Sequence, residues 1–177
     1  MLPPKLAELY AGMEKIRGET LSALSGLTDG EFSRNVGVEW SAAQILHHIL
    51  MAETGMSKVI RKAIKSAAGS LPPYPADDTA LQVRELEKPL SSYPAPAAVR
   101  PEDPPGKADL LRLARETREQ TAASFAILAT VDPRAATFPH PLFAADPDLY
   151  EWPILTVLWH EQAHQEQIRE LLARLRG

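Results

Sequence analysis

The distribution of proline constrains the fold of this chain more than any other feature of its sequence. Nine of the 16 prolines lie between residues 71 and 105, whereas residues 5–71 and 106–132 contain none. Proline has no backbone N–H and its ring clashes with the preceding turn, so it blocks helix interiors and favours extended conformations. The sequence therefore predicts helical parts joined by a long Pro-rich connection over residues 71–105.

Four segments carry apolar residues three and four positions apart, which is the periodicity of an amphipathic helix. They predict helices over residues 4–24, 41–68 and 107–129, and a fourth that starts between 148 and 153 and ends near 175. No strand pattern of useful length occurs in the sequence. The predicted fold class is therefore all-α, a four-helix bundle with a long crossover between helices two and three.

Local signals mark where two of these helices begin. Ser41, followed three residues later by Gln44, is the pattern of a capping box and predicts the start of the second helix. For the fourth helix, Asp148 with Glu151 resembles a cap, whereas Pro153 suits a first turn. The sequence does not decide between these two possible starts of the fourth helix.

The Pro-rich connection is predicted to wrap around the helices. A loop of this length is usually functional or disordered. Here a short helix is expected near Thr79–Glu87, and apolar side chains are expected to anchor the connection to the core. These anchors are Leu81, Val83, Leu86, Leu90 and Tyr93.

Length, charge and cysteine content exclude several classes of protein. A length of 177 residues is typical of one domain, so we expect residues 1–177 to form a single domain. The absence of cysteine excludes disulfides, Cys-ligated zinc and a cysteine nucleophile, and the net charge of −4 argues against nucleic-acid binding. Neither a signal peptide nor an apolar run of the roughly 20 residues that span a membrane is present, so we expect a cytoplasmic protein.

Two of the five histidines lie on the predicted fourth helix at positions i and i+4. Side chains at this spacing share one helix face, so His160 and His164 can hold one cation from the same side. Helix two offers His47 and His48 as a further ligand. His48 lies on the apolar face with Ile45, whereas His47 lies on the wetter face. We therefore predict His48 as the third ligand.

Three histidines leave at least one metal position open, as in catalytic zinc sites, whereas structural zinc usually has four protein ligands. Such a position can hold water, a thiolate or a substrate oxygen. The letters from His160 to His164 also read H-E-x-x-H, in which Glu161 would be the general base of a zinc protease. We disfavour that interpretation because the sequence shows neither the substrate-binding strand nor the downstream ligand of such enzymes.

Further polar residues are candidates on weaker grounds. His140, flanked by two prolines, lies in a rigid loop and either lines the mouth of the site or, as we favour, packs locally. Glu53, five residues after His48, is a candidate acid/base or ligand-orienting residue, although a solvated helix-face charge is the simpler interpretation. Glu161 and Gln167 are candidates as neighbours of the site, although residues of this kind are more often polar residues of the surface.

These residues together resemble the signature of the DinB-like superfamily. Residues 40–53 are similar to its second helix, with a Trp-Ser start, a metal-binding histidine two turns later and an acidic residue soon after. Residues 140–143 and 158–168 look like its second half, where a His-Pro-aromatic loop precedes a helix with H-x-x-x-H and then Gln-Ile. The resemblance covers most of the chain in architecture, and its specific residues lie in about two helices and one loop, in the expected order and spacing.

The resemblance implies a four-helix bundle, often a homodimer, with a divalent metal held by His48, His160 and His164. Characterised relatives include thiol-dependent S-transferases and isomerases, which use a low-molecular-weight thiol, and metal-dependent hydrolases. It therefore implies an enzyme in which Zn or Ni activates a thiol or water for a small-molecule substrate.

Two rival hypotheses remain open at this point. One is a non-catalytic metal-binding or stress-related interaction protein, which a solvent-blocked site or a fourth protein ligand would favour. The other is a helical bundle without metal, whose stability would be indifferent to chelators. A deep pocket lined by histidines with shifted pKa values would favour the enzyme.

Overall fold

The computed structural model describes residues 1–37, 39–86 and 93–176. Within these ranges the fold is helical and has no named strand, so the predicted all-α class is confirmed. The first helices are α1 (Pro4–Leu24), α2 (Asp29–Ser33), α3 (Ala42–Ser66) and α4 (Lys107–Leu128). A 3₁₀ turn, Ala97–Val99, lies between α3 and α4. Of the helices described, none has the length and apolar character needed to cross a membrane.

The C-terminal helix consists of three pieces that follow one another without a break. Helix α5 (Glu151–Pro153) continues into a π-helical turn, Ile154–Leu158, and then into α6 (Trp159–Arg176). Asp148 lies just before this helix, and its Oδ1 accepts hydrogen bonds from the backbone N–H groups of Tyr150 and Glu151. The helix begins at Glu151, and Pro153 lies in its first turn, where its missing N–H leaves no bond unmade. Elements of both predicted starts are therefore present.

The predicted helix boundaries agree with the structure to within a few residues. Helix α1 has the predicted bounds, and Ser41 forms the predicted capping box with Gln44 at the start of α3. Between the first two predicted helices, where no helix was predicted, the chain forms α2, which begins with a second capping box between Thr28 and Glu31. A helix of five residues is too short to show a helical period, and for this reason the sequence pattern missed it.

The connection between α3 and α4 lies against the helices in its described parts. Leu81 is buried and Val83 packs beside it in an apolar cluster, as predicted. The helix expected near Thr79–Glu87 is wrong for residues 79–86, which form a turn and then irregular chain. Glu87 and the predicted anchor Leu90 lie outside the described residues.

Two apolar clusters follow one another along the long helices, with a polar layer between them. The first cluster contains Leu6, Met13, Ile60, Phe125 and Val157. The second contains Leu24, Ile45, Leu110, Ile168 and Leu171. In the layer between them, each long helix contributes a buried polar side chain, namely Arg17, Glu53, Thr121 and Glu161.

Candidate metal centre

Three histidines from two helices meet at one point. Nε2 of His160 lies 3.0 Å from Nε2 of His48 and 3.1 Å from Nε2 of His164, and one ligand atom from each ring lies within 4.8 Å of the others. Two nitrogen ligands about 2.1 Å from one ion are about 3.0–3.4 Å apart when the angle at the ion is about 90–110°. The two short spacings, from His160 to His48 and from His160 to His164, therefore fit ligands of one divalent ion, and the three rings are those that the sequence pattern singles out.

Hydrogen bonds behind two of the rings decide which nitrogen faces the centre. Nδ1 of His48 donates to the backbone carbonyl of Val99 at 2.6 Å, and Nδ1 of His164 donates to Oε1 of Gln167 at 2.8 Å. With the hydrogen on Nδ1, a neutral imidazole has a free lone pair on Nε2. Partners of this kind orient metal-binding histidines in proteins. Gln167 is therefore a neighbour of the site, one of the two roles considered for it.

The orientation of His160 comes from the helix itself. This residue follows the π-helical turn, in which the N–H of Trp159 donates to the carbonyl of Ile154, five residues earlier. A π turn contains one more residue than an α turn, so it changes the direction in which the following side chains point. Nδ1 of His160 lies near the Thr156 backbone, without a hydrogen bond of standard geometry.

Burial keeps the three rings neutral. It lowers the pKa of His48 and of His160, and it lowers the pKa of His164 to about 4, with the neighbouring imidazoles adding to the effect. Nε2 of His160 can donate a hydrogen to only one neighbour, so the other short N–N contact brings two electronegative nitrogens together with no hydrogen between them, which is repulsive. A cation between the rings would remove this repulsion, and the donor set therefore fits a metal.

The metal-free protein is expected to lose stability as the pH falls from about 6.5 to about 4. In this range the unfolded chain binds protons on histidines that the folded chain keeps neutral, so the free energy of unfolding falls with pH. Each of these histidines contributes at most about 1.4 kcal/mol per pH unit. Urea unfolding in chelator over this range measures the slope, which His164→Gln is expected to reduce. A free energy of unfolding that stays constant or rises on acidification would contradict the expectation.

The three histidines form part of the wall of a cavity of about 780 Å³, which is large enough for a small-molecule ligand. Much of the remaining wall is apolar, including Ala52, Met56, Val59, Leu142, Trp152 and Leu155. Three carboxylates, those of Glu39, Glu166 and Glu170, also line it. The ring of Trp40 lies beside the centre, 5.0 Å from the ring of His48.

Glu53 is completely buried and binds arginine instead of facing the histidines. Its Oε2 accepts a hydrogen bond from Nη2 of Arg17 at 2.8 Å, and its Oε1 accepts one from Oγ1 of Thr121 at 2.7 Å. Nε of Arg118 lies 3.2 Å from the same Oε1. Glu53 belongs neither to the histidine cluster nor to the cavity wall. The predicted acid/base role therefore has no geometric support, and the interpretation as a solvated charge is wrong.

Glu161, on α6, binds the same arginine, Arg17, that Glu53 of α3 binds. Its Oε1 and Oε2 accept hydrogen bonds from Nε and Nη2 of Arg17, at 2.8 and 2.9 Å. Burial disfavours the charge of Arg17, but the two carboxylates more than offset this and raise its pKa. Glu161 is not a surface residue and does not line the cavity, so the general-base role of a zinc protease has no geometric support.

Arg17 is the residue of this region that the sequence pattern missed. It lies on α1 and binds Glu53 of α3 and Glu161 of α6, the two helices that carry the three histidines. An arginine on an amphipathic helix is usually exposed, and nothing in its neighbours along the chain distinguishes this one. The only available signal was the placement of both carboxylates close to predicted ligands in the sequence.

The two remaining histidines differ in their relation to the cavity. His47 belongs neither to the cluster nor to the cavity wall, in agreement with the choice of His48. His140 lines the cavity, and its ring also packs against Phe143 and Trp152, with ring centroids 4.5 and 4.7 Å away. Both roles considered for His140 are therefore present.

The sequence was compared with protein families, curated proteins and solved structures. The family model described as the DinB superfamily matches residues 13–168, a range that contains all three histidines of the cluster. No curated protein and no solved structure matches the chain. The family match covers most of the chain and agrees with the histidine pattern, and the chain therefore belongs to the DinB superfamily.

Proposed function

We propose that this protein is a divalent-metal-dependent enzyme in which His48, His160 and His164 hold the metal. The observation that carries the proposal is the convergence of three neutral, oriented Nε2 atoms on the wall of a cavity of about 780 Å³. The described histidine, aspartate and glutamate residues supply no fourth ligand to this group. A metal with three protein ligands retains a position for an exogenous molecule, as catalytic sites do.

When bound, a divalent metal supplies Lewis acidity, which lowers the pKa of a thiol or of water toward neutrality. Zn and Ni, the two metals that the resemblance leads us to expect, both accept neutral imidazole ligands. The chain itself positions the ligands: the Val99 carbonyl and the Gln167 side chain hold two rings with Nε2 facing inward. Apolar side chains such as Met56 and Leu155 exclude water from the inner wall.

The proposed reactions are thiol S-transfer or hydrolysis of a small molecule. The finer architecture belongs to the same proposal: α1, α3, α4 and the α5–α6 helix form a four-helix bundle that assembles as a cytoplasmic homodimer. A non-catalytic metal-binding protein is the alternative. The accessible, mostly apolar cavity beside the histidines favours the enzyme, because a metal with a purely structural role requires no ligand cavity beside it.

Metal content tests the proposal directly. Protein purified without a histidine tag or chelator is expected to contain close to one divalent ion per chain, and His164→Ala is expected to lose it. Metal analysis of both proteins, followed by screens for thiol transfer and hydrolysis with and without chelator, measures this. Protein that is empty as purified and whose melting temperature is unchanged by Zn or Ni would contradict a metal site. Metal binding without any chelator-sensitive turnover would favour the non-catalytic alternative.

A further inference from the structure

We propose that His140 recognises the ligand of this cavity, by donating a hydrogen bond from Nε2–H to an uncharged oxygen such as a carbonyl. The inference rests on the proposed function, because it concerns the ligand of the same site. It assigns a role in binding to a histidine that lies outside the metal-ligand cluster.

The position of the hydrogen on His140 follows from one contact. The backbone N–H of Leu142 donates to Nδ1 of His140 at 3.2 Å. A backbone N–H is only a donor, so Nδ1 is the acceptor and the neutral ring carries its hydrogen on Nε2. Burial, with a smaller contribution from Arg84, lowers the pKa of His140 to about 4, and the ring is therefore neutral at physiological pH.

This donor is oriented and accessible. The ring of His140 lies between Phe143 and Trp152, with centroids 4.5 and 4.7 Å away, which limits its rotation. Nε2 of His140 has no hydrogen-bond partner among the described residues. In contrast to Nδ1 of His160, it is not buried, so a ligand can reach it. Because His140 and the three clustered histidines line one cavity, a ligand bound beside the cluster can reach Nε2.

The charge of the cavity wall defines the kind of acceptor. The described part of the wall contains no lysine or arginine but includes the carboxylates of Glu39, Glu166 and Glu170. Arg84 is already engaged by Glu151 and by the backbone carbonyl of Ala145. Apart from the metal, whose charge a bound thiolate partly offsets, the described wall offers no cation to a carboxylate or phosphate on the ligand, which would also meet these negative side chains. A ketone, amide or ester oxygen accepts the same hydrogen bond without that repulsion.

The test uses the full chain loaded with Co²⁺ and three thiols of matched length. These are pentanethiol, its methyl-ketone analogue mercaptopentanone, and mercaptobutanoate, in which a carboxylate replaces the acetyl group. The thiolate-to-cobalt absorption band reports binding. Wild type is expected to bind the ketone about threefold to tenfold more tightly than pentanethiol, which is the usual effect of one hydrogen bond. It is also expected to prefer the ketone to the carboxylate.

Variants separate the hydrogen bond from packing. His140→Phe keeps an aromatic ring and is expected to lose the preference for the ketone over pentanethiol. His140→Gln retains an N–H donor and is expected to keep part of it. His47→Gln changes a histidine outside the cavity and is expected to behave as wild type. Cobalt affinity, measured by competition with a chelator, is expected to stay within about twofold in all three variants, since none of them changes a residue of the ligand cluster.

The possible outcomes distinguish this inference from the proposed function. Equal affinities for the ketone and pentanethiol in wild type would overturn the inference alone, as would a preference that persists in His140→Phe. Tighter binding of the carboxylate would overturn it as well, because the ligand oxygen would then be charged. If wild type takes up no cobalt or binds none of the thiols, the proposed function fails and this inference fails with it.

Discussion

Replacing His48 with alanine is expected to abolish the stabilisation of the folded protein by zinc, whereas replacing His47 leaves it intact. Nε2 of His48 lies 3.0 Å from Nε2 of His160, while His47 lies outside the cluster. At a zinc concentration of about 100 times Kd, binding to the folded state alone adds about 2.7 kcal/mol to the free energy of unfolding. Urea unfolding of wild type and both variants, with and without zinc, measures this contribution.

Comparing the stability of each variant with and without zinc separates the effect of zinc binding from the effect of lost packing. His48 is buried, so its truncation lowers stability even without metal, but that loss is the same at both zinc concentrations. His47→Ala is a matched control because it removes the same side chain one position earlier on α3. A zinc response of His48→Ala equal to that of wild type would contradict the three-histidine site. Loss of the response in His47→Ala alone would mean that the helix face was assigned incorrectly.

Arg17→Met is expected to lower the free energy of unfolding by about 3–5 kcal/mol, the usual effect of removing one partner from a buried ion pair. Methionine leaves the carboxylates of Glu53 and Glu161 buried without the arginine that binds both. Since Arg17 joins the helices that carry the histidines, zinc affinity is also expected to fall. Urea unfolding measures the first effect, and zinc titration of the folded variant measures the second.

Arg112→Met is the matched control for this experiment. Arg112 also binds two carboxylates, Asp109 and Glu116 at 2.9 Å each, but its side chain is 57% exposed. Exposed pairs of this kind contribute roughly 0–1 kcal/mol, so the control is expected to lose far less stability. The triple variant with Glu53→Gln and Glu161→Gln is expected to recover part of the loss, because neutral amides are less costly to bury unpaired. A loss for Arg17→Met no larger than for Arg112→Met would contradict the role of the buried network.

The choice between His47 and His48 shows how far the residues of the site can be predicted from the sequence pattern. Adjacent residues on a helix point about 100° apart, so two neighbours can differ in how far they face the core, as the buried His48 and the half-buried His47 do. The apolar period of α3 therefore identifies His48, and the i, i+4 spacing identifies His160 and His164 as its partners. The structure brings these three rings together. The capping box at Ser41 was predictable for the same reason, because its contacts join residues close in sequence.

The partners of the histidines were not predictable in this way. The Val99 carbonyl that orients His48 is 51 residues away along the chain. The two carboxylates bound by Arg17 are 36 and 144 residues away. A local pattern shows which face of a helix is buried but does not show which distant polar group will be opposite a given side chain. Glu53 therefore resembled a surface charge in the sequence and is a fully buried partner of Arg17 in the structure.

The sequence by itself determined the four long helices, the cap of α3 and the inward direction of three histidines, since these depend on interactions within one or two turns. Only the tertiary structure decided that the rings converge, that Arg17 connects the two helices that carry them, and that His140 lines the same cavity. These features depend on how helices distant in sequence pack together. Their energies come from burial and from polar contacts between elements, which no local spacing records.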